Sequence, residues 1–128
     1  MPTILVVDDE PTIRLLVRAA LEGTGYRLVE ASDGFSALQM ARSEHPDLIL
    51  LDIALPRLSG LEVCRRLKED PATVATPVLF LTGFAQQAER RAADAAGGQG
   101  FIAKPFSPAA LVRQIADTLR SRATLASR

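Results

Sequence analysis

The 128-residue chain is long enough for one domain that buries its core without disulfides or a structural metal, and too short for two of ordinary size. Its 48% hydrophobic and 23% charged residues are close to the globular average and argue against overall disorder or a fibrous repeat. Fifteen Lys and Arg balance fifteen Asp and Glu, which leaves no footprint for direct contact with nucleic acid or an anionic membrane.

In chain order, Ile4 to Val7 is an uninterrupted apolar run, the pattern of a strand covered on both faces. The segment MPTILVVDDE lacks a basic stretch, and its apolar run is too short for a signal peptide. No other stretch nears membrane-spanning length, so a reducing cytoplasm is the expected location. Acids and Pro11 open a first helix with Ile13, Leu16, Val17, Ala20 and Leu21 on one inward stripe, Leu15 off it, and an end near Gly23. Tyr26 to Ala31 is mixed, as an edge strand is. Ser32 or Asp33 can cap a second helix carrying Phe35, Leu38 and Ala41. His45, before Pro46, reads as a surface loop residue and not a metal ligand.

Leu48 to Leu51 and Val78 to Leu81 are two further covered strands. Between them, Ser59-Gly60-Leu61-Glu62 has capping-box spacing at the start of a third helix. Cys64 lies in that helix as a small apolar residue with no internal disulfide partner. A fourth helix, about Ala85 to Ala96, is rich in alanine and has little to bury, which predicts weak anchorage. Gly100 to Ala103 is a short fifth strand. Ser107-Pro108 opens a last helix with Leu111, Val112, Ile115 and Leu119 inward. Residues 1–121 thus read as the folded domain, and 122–128 as a tail or the start of a linker.

Five strands alternating with five helices predict an α/β fold: a flavodoxin-like three-layer α/β/α sandwich with a five-stranded parallel sheet of order 2-1-3-4-5. In such sheets the functional crevice lies at the carboxyl ends of the strands, beside the switch point between strands one and three. Asp8 and Asp9 follow strand one, Asp52 strand three, Thr82 strand four, and Lys104-Pro105 strand five. Crowded carboxylates repel, and burial makes their ionised forms harder to keep unless a cation sits among them. Three of them form a hard-oxygen site suited to Mg²⁺. Lys104 supplies a compact ammonium for a carboxylate or phosphoryl oxygen.

These residues, in this order, resemble the receiver domain of two-component response regulators, of the chemotaxis-regulator type, over almost the whole chain. The resemblance implies that Asp52 is the phosphoacceptor, taking a phosphoryl group from a sensor histidine kinase or a histidine phosphotransfer protein. It implies Mg²⁺, or Mn²⁺ as its substitute, held by Asp9 and Asp52 directly, by Asp8 through water, and by the backbone carbonyl of Ala54. It further implies a Thr82 hydroxyl and a Lys104 ammonium on the phosphoryl oxygens, a cis Lys104-Pro105 peptide, and room for the phosphoryl group at Gly83. Thr82 and Phe101 would form the switch that biases the face of helix four, strand five and helix five. Such a domain catalyses its own phosphorylation and dephosphorylation and is not a turnover enzyme. It acts on a downstream protein target or an output domain outside these residues, as a monomer or a weak phosphorylation-dependent dimer, with no direct nucleic-acid or membrane contact. The kinase is expected to dock on helix one through Ile13, Arg14 and Leu15.

Two departures stand out. Gly97-Gly98-Gln99-Gly100 occupies a stretch where the family carries small and acidic residues, so a permissive loop is expected there; Leu55-Pro56 replaces the usual methionine-proline. Rival readings remain open. A pseudo-receiver would bind partners without being phosphorylated. A Mg²⁺-dependent phosphohydrolase would want a second carboxylate two residues beyond Asp52, where Ala54 stands; a flavin module would want a phosphate-binding loop after strand one, where acids stand.

Overall fold

A computed structural model of the chain describes residues 1–83 and 87–126. The uninterrupted apolar runs become strands β1 (Thr3–Val7), β3 (Leu48–Asp52) and β4 (Val78–Thr82), buried at every position. Strands β2 (Arg27–Ala31) and β5 (Gly100–Ala103) are the two edges, and the sheet order is β2-β1-β3-β4-β5. Every pairing is parallel. Helices α1 (Pro11–Leu21), α2 (Gly34–Glu44), α3 (Gly60–Glu69), α4 (Gln87–Ala95) and α5 (Pro108–Ala126) supply the crossovers.

Because side chains alternate along a strand, the sheet divides the core into two clusters. Leu5, Val7, Ile49, Leu51, Val78 and Phe80 pack against Ala37 and Ala41 of α2 and Val63, Cys64 and Leu67 of α3. Ile4, Val6, Leu48, Leu50, Leu79 and Leu81 face the other way, onto Val17 and Leu21 of α1 and Leu111 and Ile115 of α5. A fully buried leucine or isoleucine contributes on the order of 1.5–3 kcal/mol, so α1 and α5 are firmly anchored. Of α4, Ala93 is the one fully buried residue among the described side chains. Weak anchorage of this helix stays an expectation from composition; Ala85, where the sequence starts that helix, lies outside the described residues.

Several local expectations change. Leu16 is 50% exposed, because Val17 and Leu21 are the residues that reach the sheet and Leu16 sits about 100° around the helix from Val17. Phe35 is 56% exposed. At its neighbour Gly34 a Cβ would stand 2.7 Å from Val63 Cγ2, so α2 meets α3 through a glycine and turns Phe35 outward. Half of the capping box forms: Ser59 Oγ accepts from Glu62 N at 3.3 Å. The Glu62 carboxylate goes instead to Arg65 and Arg66, which hold it below the usual glutamate range. Helix α5 continues past residue 121 to Ala126, and Arg122 Nη1 donates to the Asp47 carbonyl at 2.7 Å, so the segment read as a tail begins as helix.

The glycine-rich turn before β5 is tied down, not permissive. Gly97 has φ +99°, which only glycine adopts freely, and a Cβ on Gly98 would meet Phe80 Cε2 at 2.5 Å. Gln99 N donates to Val78 O at 2.8 Å, and Gln99 Oε1 accepts from Val78 N at 3.0 Å. A Cβ on Gly97 would meet Lys68 Cγ at 2.8 Å, and that lysine is itself held, donating to Thr76 O at 2.6 Å and Val74 O at 3.2 Å.

Candidate functional site

The acids stand at the carboxyl ends of β1 and β3. Asp8 N still donates to Ala31 O at 3.2 Å, after which the chain turns and Glu10 N donates to Asp8 Oδ1 at 2.9 Å. That turn leaves Asp8 fully buried while Asp9 emerges into solvent. Asp52 ends β3 at 4% exposure, its Oδ1 accepting from Ala54 N at 3.1 Å. The β3–α3 connection is held by Gly60 N donating to Ile53 O at 2.9 Å. Oxygens of Asp8, Asp9 and Asp52 lie within 4.8 Å of one another.

Lys104 reaches this cluster from the far edge of the sheet. Its backbone N donates to Thr82 O at 2.8 Å, the following Lys104–Pro105 peptide is cis, and Nζ donates to Asp8 Oδ2 at 2.7 Å. The same ammonium lies 3.4 Å from Asp52 Oδ1. Burial alone would lower the lysine pKa, but the hydrogen bond to Asp8 and the charges of Asp52 and Asp8 outweigh it and raise it. Asp52 is raised too, by burial first and then by the Asp8 charge, with Lys104 offsetting only part. Three carboxylates gather around one ammonium, so the cluster carries an excess of acids over bases. The all-oxygen donor set fits a hard divalent cation.

A cleft of about 390 Å³ opens over these groups, lined by Asp9, Glu10, Asp52, Ile53, Ala54, Thr82, Gly83 and Lys104. Among the described residues nothing lies within 4 Å of where a Cβ would stand at Gly83, so that wall is open. Thr82 is buried at the end of β4. Phe101 is half-buried and stands opposite Phe80 in the β4–β5 register, with ring centroids 6.2 Å apart and planes tilted by 33°. Its ring packs on the α2–α3 side of the core.

The three residues read as a docking contact separate. Leu15 is 64% exposed, but Ile13 is half-buried against the core. Arg14 is held within the fold: Nη1 donates to the Asp8 carbonyl at 2.6 Å, and Nε lies 3.3 Å from Glu30 Oε1. Sequence reading missed Glu30 altogether. The signal was there in Arg14 and Arg18, one helical turn apart, facing the single acid of the edge strand beside β1.

A parallel sheet of this order, with acids at the β1 and β3 ends and a lysine from β5, defines a receiver fold. The family model for the response regulator receiver domain matches residues 4–116, and the chain belongs to that family. It is 42% identical over 118 residues to the phosphate regulon transcriptional regulatory protein PhoB of Pseudomonas aeruginosa, covering 92% of this chain and 52% of that protein. The chain spans about half the length of the curated relatives it matches. Among solved structures, a response regulator from Chloroflexus aurantiacus superposes with TM-score 0.88 at 34% identity, covering 93% of this chain and 98% of that one. The receiver domain of a sensor histidine kinase from Pseudomonas aeruginosa gives TM-score 0.85 at 32% identity, covering 92% and 97%; its structure has a magnesium ion coordinated in the active site cleft.

Proposed function

We propose that this receiver domain is a Mg²⁺-dependent phosphoacceptor in a two-component relay, with Asp52 as the nucleophile. The observation that carries the reading is the gathering of Asp8, Asp9 and Asp52 around one point, with Lys104 in ion-pair contact with two of them. Asp9, Asp52 and the Ala54 carbonyl would ligate the ion, with Asp8 acting through water; Mn²⁺ would substitute. Bound there, the ion neutralises charge on the phosphoryl oxygens and orients the group for in-line transfer.

A carboxylate oxygen of Asp52 attacks phosphorus, forming the O–P bond of an acyl phosphate as the N–P bond of a phosphohistidine breaks and its electron pair returns to the imidazole. Lys104 then pairs with a phosphoryl oxygen, and the Thr82 hydroxyl donates to another. The open side at Gly83 admits the group. Movement of Thr82 toward the phosphoryl group vacates space beside Phe101, biasing the sparsely anchored α4 and the α4–β5–α5 face. The donor is a sensor histidine kinase or phosphotransfer protein, met partly through exposed Leu15 on α1. The reader is a downstream protein or an output domain, met by a monomer or a phosphorylation-dependent dimer in the cytoplasm. The domain itself touches neither nucleic acid nor membrane; among the described residues no helix is long and apolar enough to cross one.

Mass spectrometry after treatment with acetyl phosphate tests the reading. One labile phosphoryl adduct is expected with Mg²⁺ present, and none with chelator or in Asp52→Asn. A Mg²⁺-independent adduct, or one that persists in Asp52→Asn, overturns it.

A further inference from the structure

Arg14 sits on α1, yet it serves the loop after β1. Its guanidinium bridges two elements: Nη1 donates to the Asp8 carbonyl oxygen at 2.6 Å, while Nε pairs with Glu30 of the edge strand at 3.3 Å. Arg18, one turn later, holds the other oxygen of the same carboxylate. The Arg14 side chain is 19% exposed and that of Glu30 26%, so this pairing is more shielded than most surface ion pairs. The accepting carbonyl belongs to the Asp8–Asp9 peptide. Because a peptide unit is planar, holding its oxygen restrains the Asp9 N and Cα, the point from which the Asp9 side chain leaves the backbone. Asp8 is held independently through Glu10 N and Lys104, whereas Asp9 is exposed.

We infer that Arg14, clamped by Glu30, is a positioning residue that sets the affinity of the Asp8–Asp9–Asp52 site for a divalent cation. The inference rests on the Mg²⁺ reading above and deepens it. A planar fork satisfies carbonyl and carboxylate at once, which a lysine ammonium on a flexible stem does not reproduce. Two effects oppose each other when Arg14 is lost. Removing a positive charge near three acids favours cation binding, but freeing the Asp8–Asp9 peptide lets Asp9 leave the ligating geometry. Groups that orient metal ligands typically change affinity about 10–100-fold, whereas the charge effect is reduced because Glu30, shared with Arg18, offsets part of the Arg14 charge and solvent screens the rest. Positioning therefore wins.

Titration calorimetry of Mg²⁺ into the metal-free protein reads this directly, beside melting curves without metal. Arg14→Lys, which keeps the charge and loses the fork, is expected to weaken Mg²⁺ binding roughly tenfold. Glu30→Gln, at a side chain 26% exposed and outside the core clusters, is expected to weaken it in the same direction. The double variant should be no weaker than Arg14→Lys alone, because both act through one bridge. Arg14→Gln should also weaken binding, where a purely electrostatic role predicts tightening. Unchanged or tighter binding in the Arg14 variants, with the parent binding normally, overturns the inference and leaves the metal site intact, even if melting temperatures fall. A parent that takes up no Mg²⁺ overturns the metal reading, and this inference with it.

Discussion

Gly60→Ala puts the physical argument for the β3–α3 loop under direct strain. A Cβ at residue 60 would overlap the Asp52 carbonyl oxygen and stand 2.8 Å from the Asp52 carbonyl carbon and 2.9 Å from Ile53 Cα. All three neighbours are backbone of the β3 end, so no rotamer change relieves them, and the Gly60 N to Ile53 O hydrogen bond at 2.9 Å holds the segments together. Overpacking of this kind costs about 1–3 kcal/mol, and the strained hydrogen bond about 1 kcal/mol more. Replacing glycine in a helix returns at most about 1 kcal/mol, and less in the first turn. The net expectation is a loss of about 2–3 kcal/mol, roughly a 10 °C fall in melting temperature for a domain of this size. Calorimetry measures it, and phosphoryl uptake from acetyl phosphate should fall as well, because the displaced backbone carries Asp52. A variant as stable as the parent, as helix propensity alone predicts, would refute the close-packing account of this loop.

Other consequences are equally measurable. Without metal, Asp52→Asn should melt above the parent at neutral pH, since burial and Asp8 make the charged carboxylate unfavourable. A raised folded pKa means the folded state binds the proton more readily, so the parent's deficit should shrink as pH falls through the carboxylate range; saturating Mg²⁺ should also erase it. The Cys64 thiol, buried and pushed up to about 11, should resist alkylation in native protein and react once denatured, as mass spectrometry would record. Leu15→Asp should fold normally, since Leu15 is exposed, yet lose phosphoryl transfer from a phosphohistidine donor while still accepting acetyl phosphate. Equal loss with both donors would rule out docking at that residue.

The strands were legible because β1, β3 and β4 are covered on both faces and therefore read as unbroken apolar runs. The acids and Lys104 were legible for a related reason: in a parallel sheet every strand delivers its last residue to the same rim. Helix faces were harder. Whether Phe35 or its neighbour meets the core turned on a contact between Gly34 and Val63, residues 29 apart in sequence, which no local period encodes. The Glu62 carboxylate had a cap and two arginines within reach, and the arginines won. Arg14 looked like a surface docking residue because its partners, the Asp8 carbonyl and Glu30, come together only after α1 folds back over β1 and β2. The turn at Gly97 and Gly98 read as slack, since composition reveals glycine's freedom but not that a side chain there would strike Phe80.

The division of the interior by the sheet carries a last consequence. A void opened at Val17 lies behind a full layer of backbone from Val63, so side chains on one side cannot move in to fill a space on the other. Errors of volume stay in the compartment where they arise, and paired substitutions on opposite sides should sum almost independently. There are in effect two small interiors to tune: one carrying α1 and α5, the other carrying Phe80, Phe101 and Ala93, joined only through the backbone of the sheet.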